Sequence, residues 1–371
     1  MQKKNQNTPE ISVILPVYNC GFYVRDSIES ILNQTYKNFE LIIINDGSTD
    51  GGVEIIRELA NKDPRIILIE RENKGLIYSL NEGISRSRGS ILARMDADDI
   101  AMPDRFKLQY SHMQSDLSLA VLGTAVRTIN SDGKSLGFYC HLITPRQIKK
   151  FCEEDCPVIH PTVMMRKDVV QKIGGYRSSY QHCEDYDLWL RIIDAGYNVA
   201  NIPVPLLNYR VHQTNISKIY INTQRFNAVV ARLSHRVRQA GLPDPTSNVE
   251  KFDESIIKSF PEDVLKNINE ILFVANNSDI SSKDASNIYN AWGQYKELKN
   301  RKLAKAELSN FLMRLLFGAI KNNQYNLAGR ILLSAIGFAP SQMMMLIIRK
   351  MEIILRVRMA MVLGSGDASI S

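Results

Sequence analysis

Three carboxylates share four consecutive positions at Asp96-Ala97-Asp98-Asp99. Acids this close repel one another, and a cation is the natural relief. All-oxygen ligands favour hard ions, Mg2+ or Mn2+. In an extended segment Asp96 and Asp98 point the same way. Two carboxylates are too few for an all-protein cage, so such an ion would borrow oxygens from a diphosphate. The competing reading is a solvated turn whose aspartates cap a helix beginning near Pro103, and local sequence divides the two evenly.

Three other segments carry residues suited to chemistry. In Asp46-Gly47-Ser48-Thr49-Asp50, Asp46 can accept an N–H from a base or sugar and Gly47 permits close backbone approach. By itself this segment reads better as a strand–helix connection capped by Asp50. In Glu184–Arg191, helical spacing sets Asp185 on one face with Leu188, Trp189 and Ile192, an apolar stripe. A carboxylate on such a face suits a general base, because partial burial raises its pKa. Glu184 and Asp187 better fit the plain role of stabilising the helix dipole. In Tyr209–His212, His212 could complete a metal shell or touch a diphosphate, and Arg210 could neutralise phosphate charge; a lone histidine is more often structural. Cys152, Cys156 and His160 are spaced four apart, but no second pair follows at zinc-site spacing, so roughly one chance in ten goes to zinc.

The elements that must position these groups alternate. Ile11–Val17, Phe39–Ile44, Ile66–Ile69 and Ile91–Met95 are apolar runs of strand length, and residues 24–32, 53–59 and 76–87 repeat at helical spacing between them. The pattern predicts a parallel sheet with helices on both faces. Ligands in such sheets sit at the carboxyl ends of strands. The polar clusters after Val17, Ile44 and Met95 all lie there and could converge. Further on, 120–129 and 162–165 read as strands, 184–195 as a helix stopped by Gly196, and 208–211 as an edge strand.

At 371 residues the chain suggests two or three domains, and 44% hydrophobic with 23% charged residues is ordinary globular composition. A net charge of +7 suits an anionic substrate, membrane surface or nucleic acid without choosing. Basic–aromatic interleaving is missing, which argues against nucleic acid. The odd count of five cysteines without a CxxC pair reads as reduced cytosolic thiols. No apolar signal core follows the first lysines, and no run is long enough to span a bilayer. Walker A and GxGxxG sequences are absent, which disfavours P-loop NTPases and Rossmann dehydrogenases.

From about residue 217 the character becomes helical, dividing the chain into 1–217 and 218–371, with a break at Gly241–Pro245. Residues 303–336 could form paired helices. The segment 342–363 carries Arg349, Lys350, Arg356 and Arg358 against Glu352 amid many Met, Ile and Leu. Such a basic amphipathic helix suits a membrane interface and, equally, packing on its own domain or on a second subunit of a homo-oligomer.

Taken in order, Ile14–Asn19, Ile44–Asp50, Asn73–Gly75, Ala93–Asp99, His160–Thr162, Glu184–Arg191 and Tyr209–His212 resemble the family 2 glycosyltransferases of the GT-A nucleotide-sugar-binding fold. The resemblance covers roughly residues 10–217. It implies an α/β GT-A fold, mostly parallel, with a C-terminal helical region, and an inverting, metal-dependent sugar transfer from a nucleoside diphosphate, probably UDP. It assigns Pro16, Tyr18, Asp46, Gly75, Arg94, Asp96 and Asp98 to the donor, with Tyr18 and Asp46 holding the base. Asp98 and His212 fall to Mn2+ or Mg2+, Asp185 to the base that deprotonates the acceptor, and His160 and Glu184 to the acceptor side. The acidic pair common before the family's glycine is here Asn45-Asp46. An acceptor on a saccharide or lipid carrier, as in bacterial surface polysaccharide synthesis at the inner membrane face, is the family-level expectation. The alternatives are a nucleotidyltransferase, disfavoured by the first loop Pro16–Gly21, and a non-catalytic nucleotide-sugar-binding subunit of a membrane-attached assembly.

Overall fold

The computed structural model describes residues 8–140, 143–153, 155–212, 219–262, 264–265, 289, 312, 315–316, 319–320 and 324–338. These fall into two compact units, one ending at Ile219 and the other starting at Tyr220. The first unit is built on a nine-stranded sheet.

Its opening half is the alternation expected. β1 (Ile11–Val17), α1 (Tyr23–Leu32), β2 (Phe39–Asp46), α2 (Gly52–Lys62), β3 (Ile66–Arg71), α3 (Leu76–Arg86) and β4 (Ile91–Arg94) follow in turn. They give four adjacent parallel strands in the order β3-β2-β1-β4. β2 is buried along its whole length, as a strand covered on both faces must be. Ile11, Val13 and Leu15 join one core with Val24, Ile28 and Ile31 of α1 and Ile56 of α2. Ile14 points to the opposite face, where a Cβ on Gly83 of α3 would stand 2.5 Å from its side chain. Helices therefore cover both faces. The strand order reverses between β1 and β4, which is where a crevice forms at the carboxyl edge. Pro16 lies beyond the last β1–β4 pair, Ile14 with Arg94, so its missing N–H costs no bond to β4 and the two strands part there.

The second half is mixed. β5 (Ile100–Ala101), α4 (Arg105–Ser115), β6 (Leu119–Ile129), β7 (Ser135–Tyr139), α5 (Pro145–Phe151), β8 (Met164–Arg166), α6 (Lys167–Lys172), α7 (Glu184–Asp194) and β9 (Asn198–Arg210) complete the unit. β8 runs antiparallel between β4 and β6, and β9 lies parallel to β6. Two expectations are corrected. The strand expected at 162–165 starts at Met164, because His160–Thr162 form a 3-10 turn in which Thr162 Oγ1 donates to the Ile159 carbonyl at 2.6 Å. The edge strand expected at 208–211 is the end of the thirteen-residue β9, which pairs with both β6 and β5. β9 carries Pro203 and Pro205 where its register with β6 slips, which is how a sheet interior tolerates them.

In the second unit α8 (Ile221–Gln239) and α9 (Tyr325–Phe338) are the described α-helices of more than one turn. The expected basic helix at 342–363 lies outside the described residues, as does most of the first half of the expected pair at 303–336, of which 312, 315–316 and 319–320 are described and helical. Among the described residues no helix is long and apolar enough to cross a membrane.

Candidate active site

The ends of β1 and β2 are laced together. The Asn19 amide donates to Ser48 Oγ at 3.1 Å, Asn19 Oδ1 accepts from the Thr49 amide at 2.8 Å, and Asp50 accepts from the Gly21 and Gly52 amides. Asp50 thus ties the start of α2, as its plain reading requires. Asp46, at the tip of β2, is 4% exposed. Its Oδ1 accepts from the Lys74 amide at 2.7 Å and from the Arg71 guanidinium, and its Oδ2 accepts from the Gly75 amide at 2.9 Å. Asp46 therefore fixes the 71–75 loop and keeps one acceptor position on Oδ2 open. Gly47 is required here, for its φ is +76° and a Cβ would stand 2.8 Å from the Asn73 amide nitrogen. Tyr18 is 57% exposed beside this floor, and Tyr78 lies under both the Arg71 and Lys74 cations.

Asp96, Asp98 and Asp99 follow β4 in a turn rather than an extended segment. One ligand oxygen from each lies within 4.8 Å of the others, the only such group of potential ligands among the described residues. The turn thereby adds Asp99 to the two acids whose convergence sequence spacing foresaw. Burial, then the charges of Asp96 and Asp98, push the Asp99 carboxyl well above the usual range. Burial also raises Asp96, against the opposing pull of Arg94. Asp99 Oδ2 is buried without a hydrogen-bond partner. His212 Nε2 meets Asp98 Oδ2 at 2.8 Å, and its ring stacks on Tyr23. A hard divalent cation fits this donor set: converging oxygens, an orphaned buried carboxylate oxygen, and acids whose ionisation is resisted while no cation shares the space.

Arg210 is turned to the protein. It is 3% exposed and donates to the carbonyls of Asp98, Asn130 and Ser131 while lying over the Tyr23 ring. It braces the acidic turn, as does its amide, which donates to Asp99 Oδ1 at 2.8 Å. Arg94 is the cation at the centre. It is 4% exposed and pairs with Asp96 at 2.5 Å. Its charge also acts on Glu184, Asp185 and His160.

Glu184 and Asp185 belong, with Asp187, to a second acidic group at the start of α7, and His160 lies beside Glu184 at 3.9 Å. α7 is buried nearly all round, so the one-sided stripe expected from its spacing is replaced by a helix packed on most faces. Asp185 is partly exposed. Its Oδ1 accepts from the Tyr186 amide at 2.8 Å, and its Oδ2 accepts from the Cys156 thiol at 3.8 Å. Burial raises its pKa. The plain roles expected for its neighbours are corrected. Glu184 is 4% exposed, and burial followed by the Asp185 charge pushes it up to about 8. Asp187 is fully buried and takes Arg177 and Arg191 as partners, which makes it structural. His160 Nε2 meets the Tyr176 hydroxyl at 2.8 Å, and burial followed by Arg94 holds its pKa well below the usual histidine range. Cys152 donates to the Lys149 carbonyl, so Cys152, Cys156 and His160 share no ligand site. Sequence reasoning missed Arg71 and Tyr176, and met Cys156 only through its spacing from Cys152 and His160. Of the two missed, only Arg71 carries a signal, a cation at the carboxyl end of a strand.

Residues 12–174 match the Glycosyl transferase family 2 profile. O-antigen biosynthesis glycosyltransferase WbnJ of Escherichia coli is 40% identical over 56% of this chain and 82% of its own length. Amylovoran biosynthesis glycosyltransferase AmsE of Erwinia amylovora is 33% identical over 56% and 78%. The crystal structure of S. aureus TarS 1-349 in complex with UDP-GlcNAc superposes with a TM-score of 0.51 at 15% identity, covering 72% of this chain and 87% of that one. The fold is GT-A. The chain belongs to glycosyl transferase family 2. The matched span contains Asp46, Gly75, Arg94, Asp96, Asp98 and His160; Glu184, Asp185 and His212 lie beyond it.

Proposed function

We propose that this chain is an inverting, metal-dependent glycosyltransferase that moves a sugar from a UDP-sugar to a hydroxyl of a saccharide or lipid-linked saccharide during surface polysaccharide synthesis. The observation that carries the reading is the placement of two acidic groups on either side of one buried cation. Asp96, Asp98 and Asp99 converge next to Arg94, and the Arg94 charge reaches Asp185 and Glu184. The polysaccharide context rests on what WbnJ and AmsE are named for.

Tyr18 and the open position on Asp46 Oδ2 receive the base, with Gly47 and Gly75 keeping the floor low. Asp96 faces the ribose or sugar. Asp98 and His212, with Asp99 behind them, hold Mn2+ or Mg2+. A divalent ion bound there supplies positive charge against the leaving diphosphate. Asp185 removes the proton of the acceptor hydroxyl as that oxygen attacks the face opposite the leaving group. One base and one displacement give inversion; double displacement would need a positioned nucleophile as well. His160 and Glu184 line the acceptor side. Work at the inner membrane face rests on the basic segment 342–363, and truncation after Pro340 should then reduce liposome flotation.

The test is a panel of UDP-glucose, UDP-galactose, UDP-GlcNAc, UDP-GalNAc and GDP-mannose with Mn2+ or Mg2+, read by nucleotide release and thermal shift. One UDP-sugar should be hydrolysed in a chelator-sensitive way. Asp185→Asn should cut that rate by about 10²–10⁴-fold while UDP affinity stays within about twofold. Turnover near wild type in Asp185→Asn would remove the base assignment. Donor binding without turnover under every condition would favour the non-catalytic subunit.

A further inference from the structure

We infer that Cys156 is a positioning residue for Asp185: its thiol holds the carboxylate that the proposed reaction uses as base. The inference rests on that reading of Asp185 and extends it to a residue 29 positions away in sequence.

The geometry is simple. Asp185 has two hydrogen-bond partners among the described residues, its neighbour's amide on Oδ1 and the Cys156 thiol on Oδ2 at 3.8 Å. The first is local to the helix start and leaves the outer oxygen unrestrained. The thiol is therefore the one side chain that orients it. Cys156 is itself fixed, because its sulfur also lies 3.4 Å from the Val158 carbonyl and its amide donates to Asp155 Oδ1 at 2.8 Å. The single thiol proton is shared between Val158 O and Asp185 Oδ2.

A thiol suits this task better than a stronger donor. A guanidinium or an extra amide on Oδ2 would stabilise the carboxylate and weaken it as a base. S–H is a weak donor, so it can fix the oxygen with little loss of basicity. Among the described residues no other side chain donates to Asp185. Arg94, from β4, reaches Asp185 by charge but pairs with Asp96. The Asp185 charge acts in turn on Glu184 of the same helix, on Tyr176 from the loop before α7 and on Cys156. The contact also marks the sulfur: burial first, and the Asp185 charge second, hold the Cys156 thiol far above its usual range.

Two measurements test this. The first needs no turnover. Cys156 alkylation by iodoacetamide at pH 8.5, followed by peptide mass spectrometry, should run several-fold faster in Asp185→Asn than in wild type, because the neighbouring negative charge that suppresses the thiolate is gone. Equal rates, with the other cysteines unchanged, would place the sulfur away from the carboxylate and overturn the inference.

The second reads the pH profile of UDP release from the panel's hydrolysed UDP-sugar. Cys156→Ala should lower kcat by about tenfold and move the acidic limb upward, with the donor KM unchanged. Cys156→Ser, which restores a donor, should recover part of both. A profile identical to wild type in Cys156→Ala would defeat the positioning role. Should Asp185→Asn itself keep full turnover, the base reading fails instead, and the two failures are distinguishable.

Discussion

Two segments of this chain each place three carboxylates in four residues: Asp96, Asp98 and Asp99 after β4, and Glu184, Asp185 and Asp187 at the start of α7. Their backbones give them opposite fates. The first segment is a turn, and a turn can gather consecutive side chains; its three acids converge within 4.8 Å. The second is a helix, which rotates successive side chains by about 100°. Asp187 is swung into two arginines, Glu184 into a buried position beside His160, and Asp185 to a partly exposed position beside a thiol. Convergent acids short of counter-charge make a cation site, whereas dispersed acids can be assigned one role each. Asp187 is neutralised and serves stability. Asp185 is left with weak partners and serves the proposed chemistry.

The sharpest way to break this contrast is to neutralise one acid from each segment. Asp98→Asn should lower metal-dependent nucleotide release by about 10²–10³-fold, in line with loss of a major electrostatic element. It should also abolish the thermal shift given by Mn2+ alone, a readout independent of donor identity. If that shift survives, the cation is held elsewhere. Asp187→Asn should leave the Mn2+ shift intact but destabilise the fold by about 3–5 kcal/mol, because it strands Arg177 and Arg191 beside an uncharged partner. For a unit of this size that is a fall of about 10 °C or more in Tm by calorimetry. A Tm within about 2 °C of wild type would mean that Asp187 has no structural role.

The contrast also explains what could be read in advance. The parallel half of the sheet is legible because buried strands such as β2 are unbroken apolar runs. Strands β5 and β7 are two and five residues long and defined by distant partners, so no local pattern announces them. Asp46, Asp98 and His212 stand at or just beyond strand ends, where the alternation of strands and helices directs attention, and Asp98 and His212 meet. The three acids of α7 could not be sorted by spacing alone. Helix periodicity sorts residues only when one side faces water, and most of α7 faces protein. For the same reason the charge of Arg210 gave no clue to its target. Its donors are spent on carbonyls of two separate turns, while Arg94 carries the electrostatic role at the centre. The spacing of Cys156 points to Cys152 and His160 and not to Asp185, because that partner is met only in the folded chain.

The mildest probe is Glu184, the carboxylate in α7 that is buried from water and feels the Arg94 charge without pairing with it. Glu184 keeps its proton in the native state up to about pH 8, whereas in the unfolded chain it loses it near 4.5. Between those values the folded protein binds more protons than the unfolded one, so this residue makes stability fall as pH rises. Its penalty is absent below about pH 4.5 and fully present above about pH 8. Glu184→Gln keeps the shape and neutrality of the protonated form and removes the titration. The difference in unfolding free energy between Glu184→Gln and wild type should therefore grow with pH across that window, by up to about 1.4 kcal/mol per pH unit. Urea titrations at pH 5, 6, 7 and 8 measure it directly. The raised carboxyl of Asp99 contributes equally to both proteins, whereas Asp185 and Asp96 lie in the field of Glu184, so the difference reads Glu184 together with its coupling to those two. A constant difference across the four pH values would mean that Glu184 ionises normally, and that the two acidic segments differ less in solvation than their burial indicates.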